Sequence, residues 1–382
     1  MDSPRPHPDV RRTPKRHMVL GMMVFAVSCT GQRAEPPPPA PPPPPPVAAV
    51  QDTVTLPGLC EPSAAVESPF GDIWVVDDDQ DDTLYLLTPG ELAPRPIPAP
   101  RVPDKDKDKD KAAVKDLEGV TFDKKGRLWL MGSHSRSRSG KLGRRARLAS
   151  MDPSAPGGPA VGTGSLWPDD DKAVPESLVE QLKVHCPACV PGVDWSTLNF
   201  EGLTAEPGTQ ALLLGARAPL LSDGNAWLVA VRPDGEFPVK RVHTVDLGKR
   251  GVRDLAPAPD GGGVWILAGP PQDKDEHAVG FALYSWQPGR PARQLARLPE
   301  VAGSPEGLWP QDDRSAWLFV DEGDRLKAAA LADEGAPHRK VKKDGEVKFS
   351  CGAAIPEGGT QSWAHAVRVS WTAVDATDPP PR

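Results

Sequence analysis

Short apolar stretches recur in pairs along the chain, and an acidic residue opens most of the pairs. In four pairs the acid lies eleven positions before a large apolar residue of the second stretch: Glu118 and Trp129, Glu201 and Leu212, Asp254 and Trp265, Glu306 and Trp317. Weaker copies begin at Ser63 and Gly352, each with a tryptophan after the same interval. Repeats of about 50 residues built from short strands are typical of β-propellers.

The repeats predict an all-β protein with a single β-propeller. The first stretch of each unit consists of small and aliphatic residues, which suits a crowded inner strand. The second is rich in Trp, Leu, Val and Ile, as buried strands are. Six blades fit the six units best; five or seven blades also fit, because the last unit is short and the first can start at Glu61. We expect the propeller to cover residues 51–382, with an insertion at about 151–198 where two units are widely spaced.

The N-terminal residues 1–28 have the layout of an export signal, with a basic segment followed by an apolar run too short to span a bilayer. Ala26 to Cys29 resembles a bacterial lipobox, which implies that Cys29 is acylated; a plain secretory signal is the alternative. Residues 29–50 form a Pro-rich linker that is expected to be stiff and extended. We therefore expect an exported protein, lipid-anchored to the bacterial outer membrane or periplasmic face.

The net charge of −7 argues against a nucleic-acid partner, which requires a basic face. The lipid anchor is the predicted contact with a membrane, and the propeller is expected to be a monomer.

The cysteines fit an exported protein, whose compartment permits disulfides. Cys60 opens the first unit and Cys351 the last, and these units are neighbours in a closed ring. We therefore predict a bridge between them. Cys186 and Cys189 of the HCPAC segment are predicted to form a local disulfide. A thiol-redox pair and a metal site are the alternatives, although one CxxC with one histidine supplies few zinc ligands.

The chemistry is predicted at one mouth of the ring. The first strand of a blade leaves one face and the second returns to it, so the opening acids and the loops after the second strands lie together. Glu118, Glu201, Asp254 and Glu306 are the candidate metal ligands, and calcium is the candidate cation, because hard oxygen ligands suit it. The alternatives are that each acid caps its strand through backbone N–H groups, or that the acids act in acid–base catalysis.

A basic loop, GSHSRSRSGK, follows one second strand and is predicted to lie at the same mouth. Guanidinium, ammonium and hydroxyl groups match phosphate or carboxylate oxygens. The candidate ligand-binding residues are Ser133, Ser135, Arg136, Arg138, Lys141 and Arg217. The alternative is a loop that pairs with acidic loops across the mouth. His134 is the general-base candidate, because it is the one histidine next to a repeat-defined position.

Several of these segments together resemble a known group of proteins. DLEGVTFD, LWLMGSHSRSRSGK, NFEGLTA, LLLGARAPL, GVRDLAP and SPEGLWP resemble a bacterial β-propeller lipoprotein family labelled a domain of unknown function, which is similar to the esterase-like phytase propellers. The resemblance covers roughly residues 60 to 330. Similarity to the phytase group implies calcium and a phosphoester substrate, and no catalytic residue is carried over from it.

Two functions follow from these features. The first is a surface-anchored propeller that binds a small anionic or protein ligand at its charged central mouth. The alternative is a calcium-assisted hydrolase of phosphoesters, in which the acids hold the cation and Arg136, Arg138 and Arg217 stabilise the substrate's charge. The sequence contains no GxSxG, HExxH or GxxxxGK[ST] motif, so it gives no support to serine-hydrolase, zincin or P-loop chemistry.

Overall fold

A computed structural model describes most of the chain. The described residues are 44–102, 111–137, 140–165, 176–185, 187, 190–233, 237–272, 279–323, 339–341, 347–349 and 364–372. The predicted signal peptide, Cys29, Arg138, Cys186, Cys189 and Cys351 lie outside them. Among these residues, no helix has the length and apolar character needed to cross a membrane.

Twenty-four strands, one α-helix and two 3-10 helices make up the described structure. The strands are β1 Ala49–Thr55, β2 Pro62–Glu67, β3 Ile73–Asp77, β4 Thr83–Leu87, β5 Pro94–Pro98, β6 Arg101–Val102, β7 Lys111–Ala112, β8 Leu117–Phe122, β9 Leu128–Gly132, β10 Arg147–Met151, β11 Gly162–Ser165, β12 Asn199–Ala205, β13 Leu212–Ala218, β14 Ala226–Val231, β15 Val239–Val245, β16 Gly251–Pro257, β17 Val264–Gly269, β18 Ala282–Trp286, β19 Arg293–Arg297, β20 Ser304–Asp312, β21 Ser315–Asp321, β22 Arg339–Val341, β23 Val347–Phe349 and β24 Ala364–Ser370. The helices are α1 Glu176–His185 and the 3-10 turns Gly143–Ala146 and Trp195–Thr197.

Five four-stranded antiparallel sheets form the blades of a propeller. In order from the inner strand outward, blade 1 is β2-β3-β4-β5, blade 2 is β8-β9-β10-β11, blade 3 is β12 to β15, blade 4 is β16 to β19, and blade 5 is β20-β21-β24-β1. The inner strands contact one another in the closed cycle β2, β8, β12, β16, β20 and back to β2. The predicted all-β single propeller is therefore confirmed.

The blade number differs from the expected six. The segment that was expected to start a sixth blade contributes β24, which pairs with β21 as the third strand of blade 5. The fourth strand of that blade is β1, near the other end of the chain, which pairs with β24. Because two distant segments complete one sheet, the described strands make five blades. Strand β1 also begins within the expected linker, at Ala49.

Part of the predicted insertion at 151–198 belongs to blade 2. Strand β11 lies inside that range and pairs with β10 as the outer strand of blade 2. The added material is the stretch after β11 that contains α1, whose Leu182 packs into the apolar cluster between blades 2 and 3. This helix spans Glu176–His185.

The core consists of five apolar clusters, one in each interface between neighbouring blades. The large residues of the second strands supply them. Trp129 lies between blades 2 and 3, Trp74, Trp265 and Trp317 lie in three other interfaces, and Leu213 and Ile266 lie between blades 3 and 4. Burying such side chains contributes about 1.5–3 kcal/mol each. The repeat of large residues in the sequence thus reflects the packing of blade against blade.

A candidate metal-binding mouth

Each inner strand has a β-bulge near its start, where pairing with the second strand skips one residue. The skipped residues are Ser63, Glu118, Glu201, Arg253 and Glu306. A bulge removes a residue from the ladder and redirects its side chain. Since the five inner strands close a ring, these equivalent positions surround its axis at one mouth. The loops after the second strands reach the same mouth, because Leu117 pairs with Gly132 and Ser304 with Asp321.

The register corrects one predicted site residue. The turn between the first two strands spans residues 258–263 in blade 4, one residue longer than the turn 123–127 of blade 2. A fixed interval of eleven therefore selected Asp254, whereas the residue equivalent to the glutamates is Arg253. Three of the five bulge positions carry glutamate, and the fourth blade places a cation among them.

Asp254 lies deeper and binds backbone rather than facing the mouth. It is fully buried. Its carboxyl accepts hydrogen bonds from the N–H groups of Leu308 at 2.7 Å, Leu255 at 2.7 Å and Ala65 at 3.4 Å. Those donors belong to blades 5, 4 and 1, so one side chain joins three inner strands. Burial raises the pKa of Asp254 well above its usual range, although the three hydrogen bonds oppose the shift. The predicted metal role is replaced by a structural one.

Arg253 pairs with two of the glutamates. Its Nη1 lies 3.2 Å from Glu201 Oε2 and 2.7 Å from Glu306 Oε1. Glu201 also accepts hydrogen bonds from Arg217 and Asn199, each at 2.8 Å. Both oxygens of Glu201 are therefore occupied by protein donors. Glu201 lies at the predicted mouth as a partner of arginines rather than as an open ligand.

Glu306 has a raised pKa even though it pairs with Arg253. Burial raises its pKa to about 7, and Glu201 and Glu61 add repulsion, while Arg253 and Arg217 oppose the shift. Glu306 therefore holds its proton to a higher pH than a solvent-exposed glutamate does.

The remaining acids of the mouth converge on one point. Asp78 follows β3, Asp116 precedes β8, and Glu118 is the bulge residue of β8. One carboxylate oxygen from each lies within 4.8 Å of the other two. The Oδ1 atom of Asp78 is buried and has no hydrogen-bond partner among the described residues. Hard divalent cations prefer carboxylate oxygens as ligands. A buried oxygen without a hydrogen bond is free to bind such a cation.

The electrostatics of these acids also favour a cation. Burial, followed by repulsion from Glu61 and Glu118, raises the pKa of Asp78 well above its usual range. Burial and the charges of Glu201 and Asp116 do the same for Glu118. Like charges at close range require protons or a counter-ion. The three acids together therefore resist ionisation unless a cation joins them.

Asp116 is held in place by the loops around it. Its backbone has a φ of 56°, and its N–H donates to Asp81 at 2.7 Å. Its carboxylate forms an ion pair with Arg145 and a hydrogen bond with Ser133. Sequence reasoning missed Asp116 and Arg145, although Asp116 belongs to the quoted DLEGV segment. It also missed Asp78, which lies in an acidic stretch directly after β3.

The basic loop is mostly tied to itself. Ser133 and Ser135 share a hydrogen bond at 2.8 Å, and Arg145 donates to Ser135 at 3.0 Å. Arg136 donates to Gly140 of its own loop at 2.6 Å, and the exposed Lys141 closes the turn. Ser133 therefore contacts the acidic cluster directly through Asp116, and Ser135 reaches it through Arg145. The described basic residues Arg136 and Arg217 bond to protein oxygens.

His134 lies in the interior. It is 1% exposed, its Nδ1 contacts Gly132 O at 2.7 Å, and its ring meets Phe200 edge to face at 5.4 Å. Burial lowers its pKa to about 4. A buried ring packed against Phe200 is poorly placed to accept a proton from a substrate, so the geometry does not favour His134 as the predicted general base. The ring packs against β12 and holds the loop in place.

No protein family model matches the chain, and no curated protein is significantly similar to it. Solved structures that are similar include PQQ-bound aldose sugar dehydrogenase from Streptomyces coelicolor, with 14% identity over 85% of this chain and 98% of that one and a TM-score of 0.38. A gluconolactonase-like protein matches with 11% identity over 84% and 92% and a TM-score of 0.38. Streptogramin B lyase matches with 10% identity over 84% and 97% and a TM-score of 0.35. All three matches are remote.

Proposed function

We propose that this propeller binds a divalent cation, calcium in particular, at Asp78, Asp116 and Glu118, and that the bound cation mediates capture of a small anionic ligand or an acidic protein segment at the mouth. The convergence of three carboxylates within 4.8 Å carries the proposal. The buried Asp78 Oδ1 atom, without a partner among the described residues, supports it.

Charge accounts for the role of the cation. Six carboxylates influence one another at the mouth, namely Glu61, Asp78, Asp116, Glu118, Glu201 and Glu306. Three arginines, Arg145, Arg217 and Arg253, face them in ion pairs. When all six are ionised, their negative charge exceeds the positive charge of the three arginines, and a bound cation offsets that excess for an approaching anion. Calcium keeps open coordination positions for ligand oxygens when protein supplies few of them.

Calorimetric titration of calcium into the purified chain tests the cation site. We expect saturable binding that weakens by at least about tenfold in Asp78→Asn and in Glu118→Gln, since each removes one charged ligand. Asp152→Asn is the matched control, because Asp152 is a fully exposed acid that follows β10 at the end of blade 2 opposite the mouth. Absence of saturable binding, or equal affinities in all the variants, would reject the site.

Glu118→Gln has a second readout that separates ligation from folding. Without calcium, removing one of several repelling buried acids should leave stability unchanged or higher. A Glu118→Gln variant that is stable yet binds calcium poorly has lost a ligand. If Glu118→Gln is unstable, the calcium affinity of Asp78→Asn decides whether the site exists.

A second candidate is calcium-assisted hydrolysis of phosphoesters. Arg145 is partly exposed and pairs with Asp116, so a guanidinium adjoins the proposed cation. A cation and a guanidinium together can stabilise a phosphoester's developing charge. Turnover of phosphoester substrates that requires calcium and is lost in Arg145→Gln would support this activity. Calcium binding without turnover leaves only the binding function.

The location follows from the N-terminal residues. We infer that Cys29 is acylated and that the Pro-rich linker holds the propeller off a membrane surface outside the cytoplasm, as the bacterial lipoprotein resemblance implies. Labelling with a radioactive fatty acid tests this: label should enter the protein and be absent from Cys29→Ser. Label that persists in the variant would contradict the anchor.

A further inference from the structure

The face of the ring opposite the mouth has a basic cleft between blades 2 and 3. One wall is the turn between β8 and β9, with Asp123, Lys124, Lys125 and Arg127. The other wall is the turn between β12 and β13, with Thr209 and Gln210, and Arg232 lies beyond the end of β14. The cleft has a volume of about 260 Å³. Four cations and one acid line it, in a chain whose net charge is −7.

Asp123, the one acid among the residues that line the cleft, forms its hydrogen bonds within its own turn. Asp123 accepts hydrogen bonds from Arg127 Nε at 2.9 Å and from the indole of Trp129 at 3.0 Å. It also accepts the backbone N–H groups of Lys125 and Arg127, at 2.8 and 3.1 Å. The guanidinium of Arg127 is fixed further by lying 5.4 Å from the Trp129 ring centre. Asp123 thus sets the shape of the turn and leaves the lysines as its outward charges.

The size and composition of the cleft select the ligand class. Typical sites for larger organic ligands occupy about 300–1,000 Å³, so this cleft suits a small molecule. Lysine ammonium groups, a fixed guanidinium and an amide donor complement a phosphate group. A nucleic acid would require a far larger basic surface than one cleft of an acidic protein offers.

We infer that this cleft is an anion site for a small phosphate species, either inorganic phosphate or the phosphate of a monoester, bound by Lys124 and Lys125 against Arg127 and Arg232. The site is separate from the mouth: its residues lie at the far ends of the inner strands from Glu118 and Glu201. It requires no cation.

The test is calorimetric titration of the full chain with inorganic phosphate and, separately, with glucose 6-phosphate, both in EDTA so that no calcium bridges phosphate to the mouth. We expect saturable binding that weakens as salt is raised. Binding of both probes indicates a site for the phosphate group; binding of one alone identifies the source. Failure of both to saturate overturns the inference.

Two pairs of variants locate the binding. Lys124→Gln with Lys125→Gln should weaken it by at least about tenfold, because two charged donors are lost. Lys183→Gln with Lys249→Gln makes the same charge change on α1 and in the loop between β15 and β16, neither of which lines the cleft, and should leave the affinity unchanged. Equal weakening in both pairs would mean a diffuse charge effect and reject the site. Glu118→Gln should not change phosphate affinity in EDTA; loss of binding there would move the anion to the mouth and also reject the cleft.

Discussion

Arg253 occupies in blade 4 the bulge position that Glu201 occupies in blade 3, and their side chains form an ion pair of 3.2 Å. Structural equivalents in neighbouring blades thus carry opposite charges and bind one another across the blade boundary. Arg253 also pairs with Glu306 of blade 5. One arginine therefore allows the buried Glu201 and the partly buried Glu306 to lie near the axis of the ring, and Asp78, Asp116 and Glu118 lie on the side of blades 1 and 2.

Replacing Arg253 by glutamine should destabilise the fold. The side chain is 3% exposed, and breaking a buried pair by removing one partner costs about 3–5 kcal/mol. Urea unfolding at neutral pH measures the change. Arg314→Gln is the control, because its ion pair with Asp313 is exposed and such pairs contribute at most about 1 kcal/mol. A loss for Arg253→Gln no greater than that of the control would contradict the pairing.

Replacing Asp254 should lower the free energy of unfolding and leave the calcium affinity unchanged. In Asp254→Ala three buried backbone N–H groups lose their acceptor, at about 1–3 kcal/mol each before relaxation. Asp254→Asn keeps one carbonyl oxygen and should cost less than Asp254→Ala. Unfolding curves with and without calcium measure both effects. Calcium affinity that falls specifically in the folded Asp254→Asn variant would restore the ligand role expected from the sequence.

The sequence was informative where every blade meets the same physical demand. Each interface between blades must be filled, so Trp74, Trp129, Trp265 and Trp317 recur, and their spacing revealed the strand pairs. The predicted mouth was located for a similar reason, because the first two strands of every blade form a hairpin.

The sequence did not reveal the bulge positions, the long-range strand pairing or the meeting of loops from different blades, because these features depend on the backbone conformation. The position of a bulge is invisible in a pattern of residue types, and a turn one residue longer in blade 4 placed Asp254 where Arg253 belongs. The blade number was misjudged because β1 and β24 pair across more than 300 residues. Which acids converge depended on the loops that carry Asp78 and Asp116, and no local pattern specifies that meeting.

The stability of the cation-free protein should fall as the pH rises from about 6.5 to 8. Burial raises the pKa of Glu306 to about 7 and raises the pKa values of Asp78 and Glu118 well above their usual range. The folded state therefore holds protons that the unfolded chain has released, and the free energy of unfolding decreases with pH wherever that is so. His134 acts in the opposite direction, with its pKa lowered by burial to about 4, but its contribution is largely complete by its ordinary pKa of 6.5.

Urea unfolding in EDTA across this pH range measures the slope. Glu306→Gln should flatten it, because one of the retained protons is removed. Asp152→Asn should not, since hydrogen bonds from Ser154 lower the pKa of that exposed acid and it titrates far below the range. Saturating calcium should reduce or reverse the slope by binding the ionised acids. A cation-free protein that gains stability toward pH 8 would contradict the proposed proton retention.

The predicted bridge between Cys60 and Cys351 can be tested by peptide mapping. Cys60 is buried at the start of blade 1, where its N–H donates to Asp77 at 2.7 Å, while Cys351 lies outside the described residues. Mapping under non-reducing conditions should recover the two cysteines in one linked peptide. Cys60→Ser should then cost about 2–4 kcal/mol of stability, as expected for the loss of a long closed loop. Recovery of Cys60 linked to Cys186 or Cys189 would contradict the pairing.

The last prediction concerns the strand that completes the ring. Strand β1 pairs with β24 from Ala49 to Thr55, and the residues just before it join blade 4 through hydrogen bonds between Ala48 and Arg297 at 2.8 Å and between Arg297 and Pro46 at 2.9 Å. The chain that leads to Cys29 therefore enters the propeller through the outer strand of blade 5.

A chain that begins at residue 44 should keep the stability of the longer protein, because it retains β1 and its contacts with blade 4. A chain that begins at residue 56 exposes the edge of β24 and should lose about 3 kcal/mol or more, through unpaired backbone groups and an open sheet edge. Thermal and urea unfolding of both chains measure the difference. Equal stability would show that the described pairing of β1 with β24 does not hold the ring together in solution.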